Sequence, residues 1–189
     1  MLTTLYSFCP QSGCTDGENP RTGLVQATDG NFYGVTQNGG ASDSCQEGGC
    51  GTLFRITPRG TLATLHSFDY TEGGYPAAAL IQDTDGEFYG TTPNGGAHNL
   101  GTIFSLSAGL GPFVETQPTS TKVGAGVRIL GTDLTGVTSV TFNGTPAIFK
   151  VVSSSFITTT APTGATTGEV QVVTPGGTLT SNVPFRVLP

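Results

Sequence analysis

The sequence has no tryptophan, one methionine, two histidines and only 11% charged residues. Long apolar runs are missing as well: none approaches the roughly 20 residues that a membrane-spanning helix needs. No charged start followed by an apolar stretch precedes a secretory cleavage site. The 7 Lys and Arg residues stand singly along the chain against 13 Asp and Glu, which excludes the clustered cationic face on which nucleic-acid binding depends. No Ser, His and Asp arrangement, no H-E-x-x-H and no Walker sequence is present. The chain is therefore expected not to be an enzyme and to take no cofactor and no catalytic metal.

What is abundant points to strands. There are 29 Gly and 12 Pro in 189 residues, with much Thr, and helix formers are scarce. This composition describes many short strands punctuated by tight turns. The length suits two small domains, each with its own core.

An internal repeat sets the boundaries. The first copy, about residues 2–60, reads LTTLYSF from Leu2 to Phe8, then GLVQATDGNFYGVTQNGGA from Gly23 to Ala41, then GTLFRITPRG from Gly51 to Gly60. The second, about 62–111, runs in the same order: LATLHSF from Leu62, ALIQDTDGEFYGTTPNGGA from Ala79 to Ala97, and GTIFSLSAGLG from Gly101. Asp29-Gly30 and Asp85-Gly86 lie between β-rich runs and predict two-residue hairpin turns with positive φ at both residues. Pro58-Arg59-Gly60 predicts a second hairpin, whose far arm is the start of the next copy. Four strands per unit of roughly fifty residues is a propeller-blade signature, although propellers use about four to eight blades. Two such sheets packed as a sandwich is the other arrangement open to the sequence.

Cys9, Cys14, Cys45 and Cys50 form two pairs of equal spacing, placed where the copies differ in length. A four-thiolate zinc site usually uses tighter C-x2-C knuckles. Local disulfides, Cys9 with Cys14 and Cys45 with Cys50, fit the Gly-rich loops better and imply an extracellular or cell-surface location. With no signal peptide in the sequence, residue 1 is expected to lie inside a longer precursor or to begin the mature form.

The repeated residues TDGNFYGVTQNGG and GTLFRITPRGTLATLHSF resemble the GloVer-type tandem repeat of long secreted or surface proteins of environmental bacteria. The resemblance covers residues 2 to about 111 and implies location more than activity. From Phe113 the composition shifts to Val, Thr and Ser, with strand-like runs separated by regular turn signals, as in a small β-sandwich. The runs GVRILGTDLTGVTSVTFNGTPA, ITTTAPTGATTGEVQVVTPGG and SNVPFRV resemble the IPT/TIG subfamily of immunoglobulin-like domains. That resemblance implies a spacer or binding module over residues 112–189, following a β-repeat domain over 1–111. The expected fold is thus all-β: two four-stranded blade-like sheets, propeller-like or sandwiched, then an immunoglobulin-like β-sandwich.

Other candidate sites read more simply as structure. His66 replaces Tyr6 of the first copy and suits a half-buried packing position; His98 lies in a loop that the first copy fills differently. Asp83-Thr84-Asp85-Gly86 begins like a calcium loop, but its counterpart Ala27-Thr28-Asp29-Gly30 lacks the first carboxylate, and no downstream Glu completes it. Asp16, Asp29, Asp69 and Asp85 fall in turns rather than in a shared cleft, which makes a hydrolase the weakest reading. Asn143-Gly144-Thr145 fits an N-glycosylation sequon and equally a positive-φ turn. Phe32, Tyr33, Phe88 and Tyr89 recur in both copies, as core residues do, although an exposed member could stack on a sugar.

The most informative feature is an imbalance. Leu62–Phe68 is the second arm of a hairpin whose first arm is GTLFRIT, whereas Leu2–Phe8 has no such first arm before it. At the other end, Thr102, Ile103, Phe104 and Leu106 form a first arm followed by GLGPFVET, which departs from the pattern. Donating Leu2, Leu5, Tyr6 and Phe8 to that edge would pair the backbone groups of both, and Leu2, Leu5 and Phe8 would bury apolar surface worth very roughly 5–9 kcal/mol before the ordering cost. Donation in cis closes a compact domain; donation in trans makes a head-to-tail homopolymer. The leading expectation is an extracellular fibre protomer. The alternative is a surface adhesion or binding module, with glycans as partners.

Overall fold

The computed structural model describes residues 1–10, 12–45 and 48–189. Gln11, Gln46 and Glu47, inside the two cysteine-bounded insertions, lie outside the described residues. All regular secondary structure described is β-strand. Among the described residues, no helix is long and apolar enough to cross a membrane. The chain divides into one unit of residues 1–83 with 87–108 and another of 84–86 with 109–189.

The first unit holds two antiparallel sheets. Strands β1 (Val25–Gln26), β2 (Phe32–Thr36), β3 (Thr52–Ile56) and β4 (Leu62–Ser67) are hydrogen-bonded in that order. Strands β5 (Ile81–Gln82), β6 (Phe88–Thr92) and β7 (Thr102–Leu106) form the second sheet. The registers agree: Val25↔Tyr33 matches Ile81↔Tyr89, and Gly34↔Phe54 matches Gly90↔Phe104. Each sheet is pinned by a threonine pair, Thr36 Oγ1 to Thr52 Oγ1 at 2.8 Å and Thr92 Oγ1 to Thr102 Oγ1 at 2.9 Å. Because these hydroxyls bond each other, they can be buried without loss of hydrogen bonding.

Three expectations are corrected. The Asp-Gly hairpins are not two-residue turns with two positive φ angles: at the first, only Gly30 is left-handed (φ 77°), and the Gly30 amide donates to the Ala27 carbonyl at 2.9 Å. The Asp29 carboxylate selects this longer turn by accepting the Asn31 amide at 3.0 Å. The second sheet has three strands rather than four, because the chain after β7 passes into the second unit, where the Phe113 amide donates to the Thr84 carbonyl at 2.9 Å. Leu2–Phe8 carries the sequence of a strand but is not one; a strand exists only with a partner to accept its backbone bonds.

The second unit is a two-sheet sandwich. Its strands are β8 (Val114–Gln117), β9 (Ser120–Lys122), β10 (Gly126–Gly131), β11 (Ser139–Phe142), β12 (Thr145–Pro146), β13 (Phe149–Ser153), β14 (Phe156–Thr160), β15 (Val170–Thr174), β16 (Gly177–Thr180) and β17 (Arg186–Leu188). One sheet runs β13-β14-β10-β8 and the other β12-β11-β15-β16, with β17 parallel to β9. Alternation along β10 and β15 sends Val127, Ile129, Val170 and Val172 into one shared core with Ile157 and Phe142. Phe142 meets Phe185 edge-on at 4.9 Å.

Candidate assembly edge

Strand β7 pairs with β6 on one side, and among the described residues no strand occupies its other side. Along it Ile103 and Ser105 are exposed, while Thr102, Phe104 and Leu106 are half-buried. Its counterpart β3 is covered at the same place by β4, in the register Thr52↔Ser67, Leu53↔His66, Phe54↔Thr64, Arg55↔Ala63 and Ile56↔Leu62, with an irregularity after Leu53. The Phe68 amide then donates to the Gly51 carbonyl at 3.0 Å. The Phe68 ring lies against Phe104, centroids 5.1 Å apart and planes at 65°. By its backbone β4 thus belongs to the first sheet, and by the ring that follows it packs on the second.

Leu2–Phe8 repeats half of this role. Phe8 lies against Phe54 with centroids 5.1 Å apart and planes at 65°, the same geometry as Phe68 on Phe104. The Tyr6 hydroxyl donates to Asp16 Oδ2 at 2.8 Å, and that bond holds the phenol above its ordinary pKa. At the equivalent place in the second copy His66 Nε2 pairs with Glu72. Leu2 and Leu5 remain exposed. The two sets of residues singled out from sequence are not brought together: among the described residues, no strand pairing or ring contact joins Leu2, Leu5, Tyr6 and Phe8 to Thr102, Ile103, Phe104 and Leu106. Sequence reasoning missed the Tyr6–Asp16 and His66–Glu72 pairs. The signal was the alignment of Thr15-Asp16-Gly17 with Thr71-Glu72-Gly73, which fixes a carboxylate opposite position 6 or 66.

The loops around this framework are tied down. Cys9 is bonded to Cys14 and Cys45 to Cys50, with Cα separations of 4.3 and 5.2 Å. Cys9, Cys14 and Glu18 place ligand-type atoms within 4.8 Å of one another, but the two sulfurs are bonded to each other and offer no thiolate. A cleft of about 100 Å³ lies beside β7, walled by Leu53, His66, Phe68, Glu72, Phe104, Ser105 and Leu106.

The carboxylates serve their own turns. Asp29 accepts from the Asn31 side chain at 2.7 Å and from the Tyr33 hydroxyl at 3.0 Å. Burial opposes its ionisation, but these bonds, the Asn31 amide and nearby Arg55 outweigh that and hold its pKa below the ordinary carboxyl value. Tyr33 is pushed the other way, by burial and by its bond to Asp29. Asp69 is lowered by bonds from the Thr71 side chain and from the Thr71 and Glu72 amides. Asp83 closes a hairpin turn by donating its amide to the Glu87 carbonyl at 2.9 Å. His98 is exposed. Asn143 and Gly144 both have positive φ, at 45° and 81°, and form the β11–β12 turn. The Asn143 side-chain amide donates to Thr166 Oγ1 at 2.8 Å and to the Thr167 carbonyl at 3.3 Å.

Over residues 1–139 the sequence matches the profile of the Gloeobacter/Verrucomicrobia repeat. The chain belongs to that repeat family. The match includes both sheets of the first unit and continues past residue 111 into β8–β10 of the sandwich. Among solved structures, this member of the repeat family is similar to SGBP-B from a complex xyloglucan utilization locus in Bacteroides uniformis, at 14% identity and a TM-score of 0.34. That likeness covers 82% of this chain and 44% of SGBP-B, so the chain spans less than half the length of that protein. No curated protein sequence matches.

Proposed function

We propose that the protein is a structural protomer of an extracellular fibre, in which Leu2–Phe8 of one copy adds to β7 of the next as the missing fourth strand. The observation that carries this reading is the open edge of β7 in a sheet whose sister sheet is completed there by β4. The sequence of β4, LATLHS, recurs at the N-terminal end as LTTLYS, unpaired among the described residues. Proteins that must stay monomeric blunt such an edge with lysine, proline or a charge that points inward. The edge Thr-Ile-Phe-Ser-Leu of β7 has none of these. Because the donor and the acceptor are different surfaces, the contact is head-to-tail and extends into a filament unless it closes into a ring.

The disulfides support an oxidising, extracellular setting. The sandwich is assigned as an IPT/TIG-type spacer or outer decoration, and the protein as a non-enzyme whose main partner is itself. Deleting residues 1–8 and imaging the product by electron microscopy tests this. The expected outcome is a folded protein without fibres; fibres of unchanged form would contradict it. A full-length chain that is strictly monomeric and binds polysaccharide would favour the adhesion module instead.

A further inference from the structure

The contact between the two sheets inside the first unit is itself a pattern for assembly. Tyr33 of the first sheet stacks on Phe88 of the second, centroids 4.2 Å apart. The Tyr75 amide donates to the Cys50 carbonyl at 2.8 Å. Pro76 approaches so closely that a Cβ on Gly51 would lie 2.7 Å from its Cδ. At this joint Cys50 is 0% and Leu53 1% exposed, and on the second sheet Leu80 is 4% exposed.

The equivalent residues at the outer ends are just as apolar but uncovered. Leu100, the counterpart of Cys50, is 85% exposed; Ile103, the counterpart of Leu53, is 81% exposed; and Leu24, the counterpart of Leu80, is 53% exposed. A sequence that served a lone copy would carry polar side chains at both ends. The backbone is matched too: Asn19 has φ 56° where its counterpart Tyr75 has 59°.

We propose that the joint between successive copies repeats the joint between the two sheets within one copy. The occupant of the Leu100–Ile103 face is a second copy of this chain, presenting Leu24 and Asn19, with its Asn19 amide donating to the Leu100 carbonyl. The register of β3 with β4, transferred to β7, sets Ser7 opposite Thr102, Tyr6 opposite Ile103, Thr4 opposite Phe104, Thr3 opposite Ser105 and Leu2 opposite Leu106. This rests on the fibre reading and adds to it a register and a side-chain interface that strand donation alone does not specify.

Thr3 and Ser105 are exposed, and no free cysteine occurs among the described residues, so thiols introduced there report on the joint. A chain carrying Thr3→Cys and Ser105→Cys, treated with a short bis-maleimide, is expected to give a ladder of covalent multimers on a denaturing gel. A chain carrying Ser7→Cys and Ser105→Cys, out of register, is expected to give at least tenfold less. Fibres that form without a Thr3–Ser105 ladder would overturn the register while leaving strand donation standing. Cross-linking confined to single chains, or no fibres from any chain, would overturn both. Ile103→Lys, at a position exposed in the lone copy, is expected to raise the concentration needed for fibres by roughly 10- to 100-fold. An unchanged concentration would overturn the interface.

Discussion

Gly17 and Gly73 show how tightly single residues are specified. Both have left-handed backbones, φ 109° and 138°, and a Cβ on either would lie 2.6 Å from a threonine hydroxyl, that of Thr52 or Thr102. Gly17→Ala combines backbone strain with overlap on the buried Thr36–Thr52 pair and is expected to cost about 2–3 kcal/mol in a urea melt. Asp29 acts through charge. Its folded pKa lies below the ordinary 3.8, so its contribution to stability is fully present above that value and is lost as pH falls through the folded value. Asp29→Asn is expected to lose about 0.5–1 kcal/mol at neutral pH, a modest figure because the turn is exposed. That difference is expected to vanish in acid, which melts recorded from pH 7 to below the carboxyl range will check. The place of this turn was legible in the sequence from Asp29-Gly30. Its type was not, because the bonds from Asn31 and Tyr33 to the Asp29 carboxylate choose it.

At the scale of elements, pairing decides what is a strand. Alignment of the two copies located β2, β3, β6 and β7 from sequence, since each has its partner nearby along the chain. The same reasoning made Leu2–Phe8 a strand, and in a single copy it is not. The pattern of Leu2, Leu5 and Phe8 encodes a capacity to pair, and the pairing itself depends on an edge that this part of the chain does not supply. The cysteine loops differ in how much rests on them. Each bridge closes a short loop and is expected to contribute about 2 kcal/mol by the chain-entropy estimate. Cys9 is exposed, whereas Cys50 is fully buried at the joint between the sheets. The Cys45→Ser, Cys50→Ser protein should therefore lose more stability in urea than the Cys9→Ser, Cys14→Ser protein, because a hydroxyl replaces sulfur in the covered position.

At the scale of the molecule, the proposed assembly treats the first unit as two turns of a longer array. Each sheet of a repeat array buries its apolar face only against a neighbour. In the proposed assembly, the exposed Leu24 on one side and Leu100 and Ile103 on the other are the faces that successive chains cover. The open β7 edge was visible in the sequence as the arm GTIFSLS followed by GLGPFVET rather than by the second arm of the repeat. What the sequence could not show was that the equivalent apolar positions differ so sharply in exposure, since burial belongs to the assembled sheets. The central claim is that copies complete one another, and the mass of the native particle in solution tests it most directly. Light scattering is predicted to give masses that rise with concentration to many times that of one chain. Excess synthetic peptide with the sequence of Leu2–Phe8 is predicted to return the mass to that of single chains by occupying β7. A particle with the mass of one chain at every concentration, or multimers indifferent to the peptide, would contradict the account.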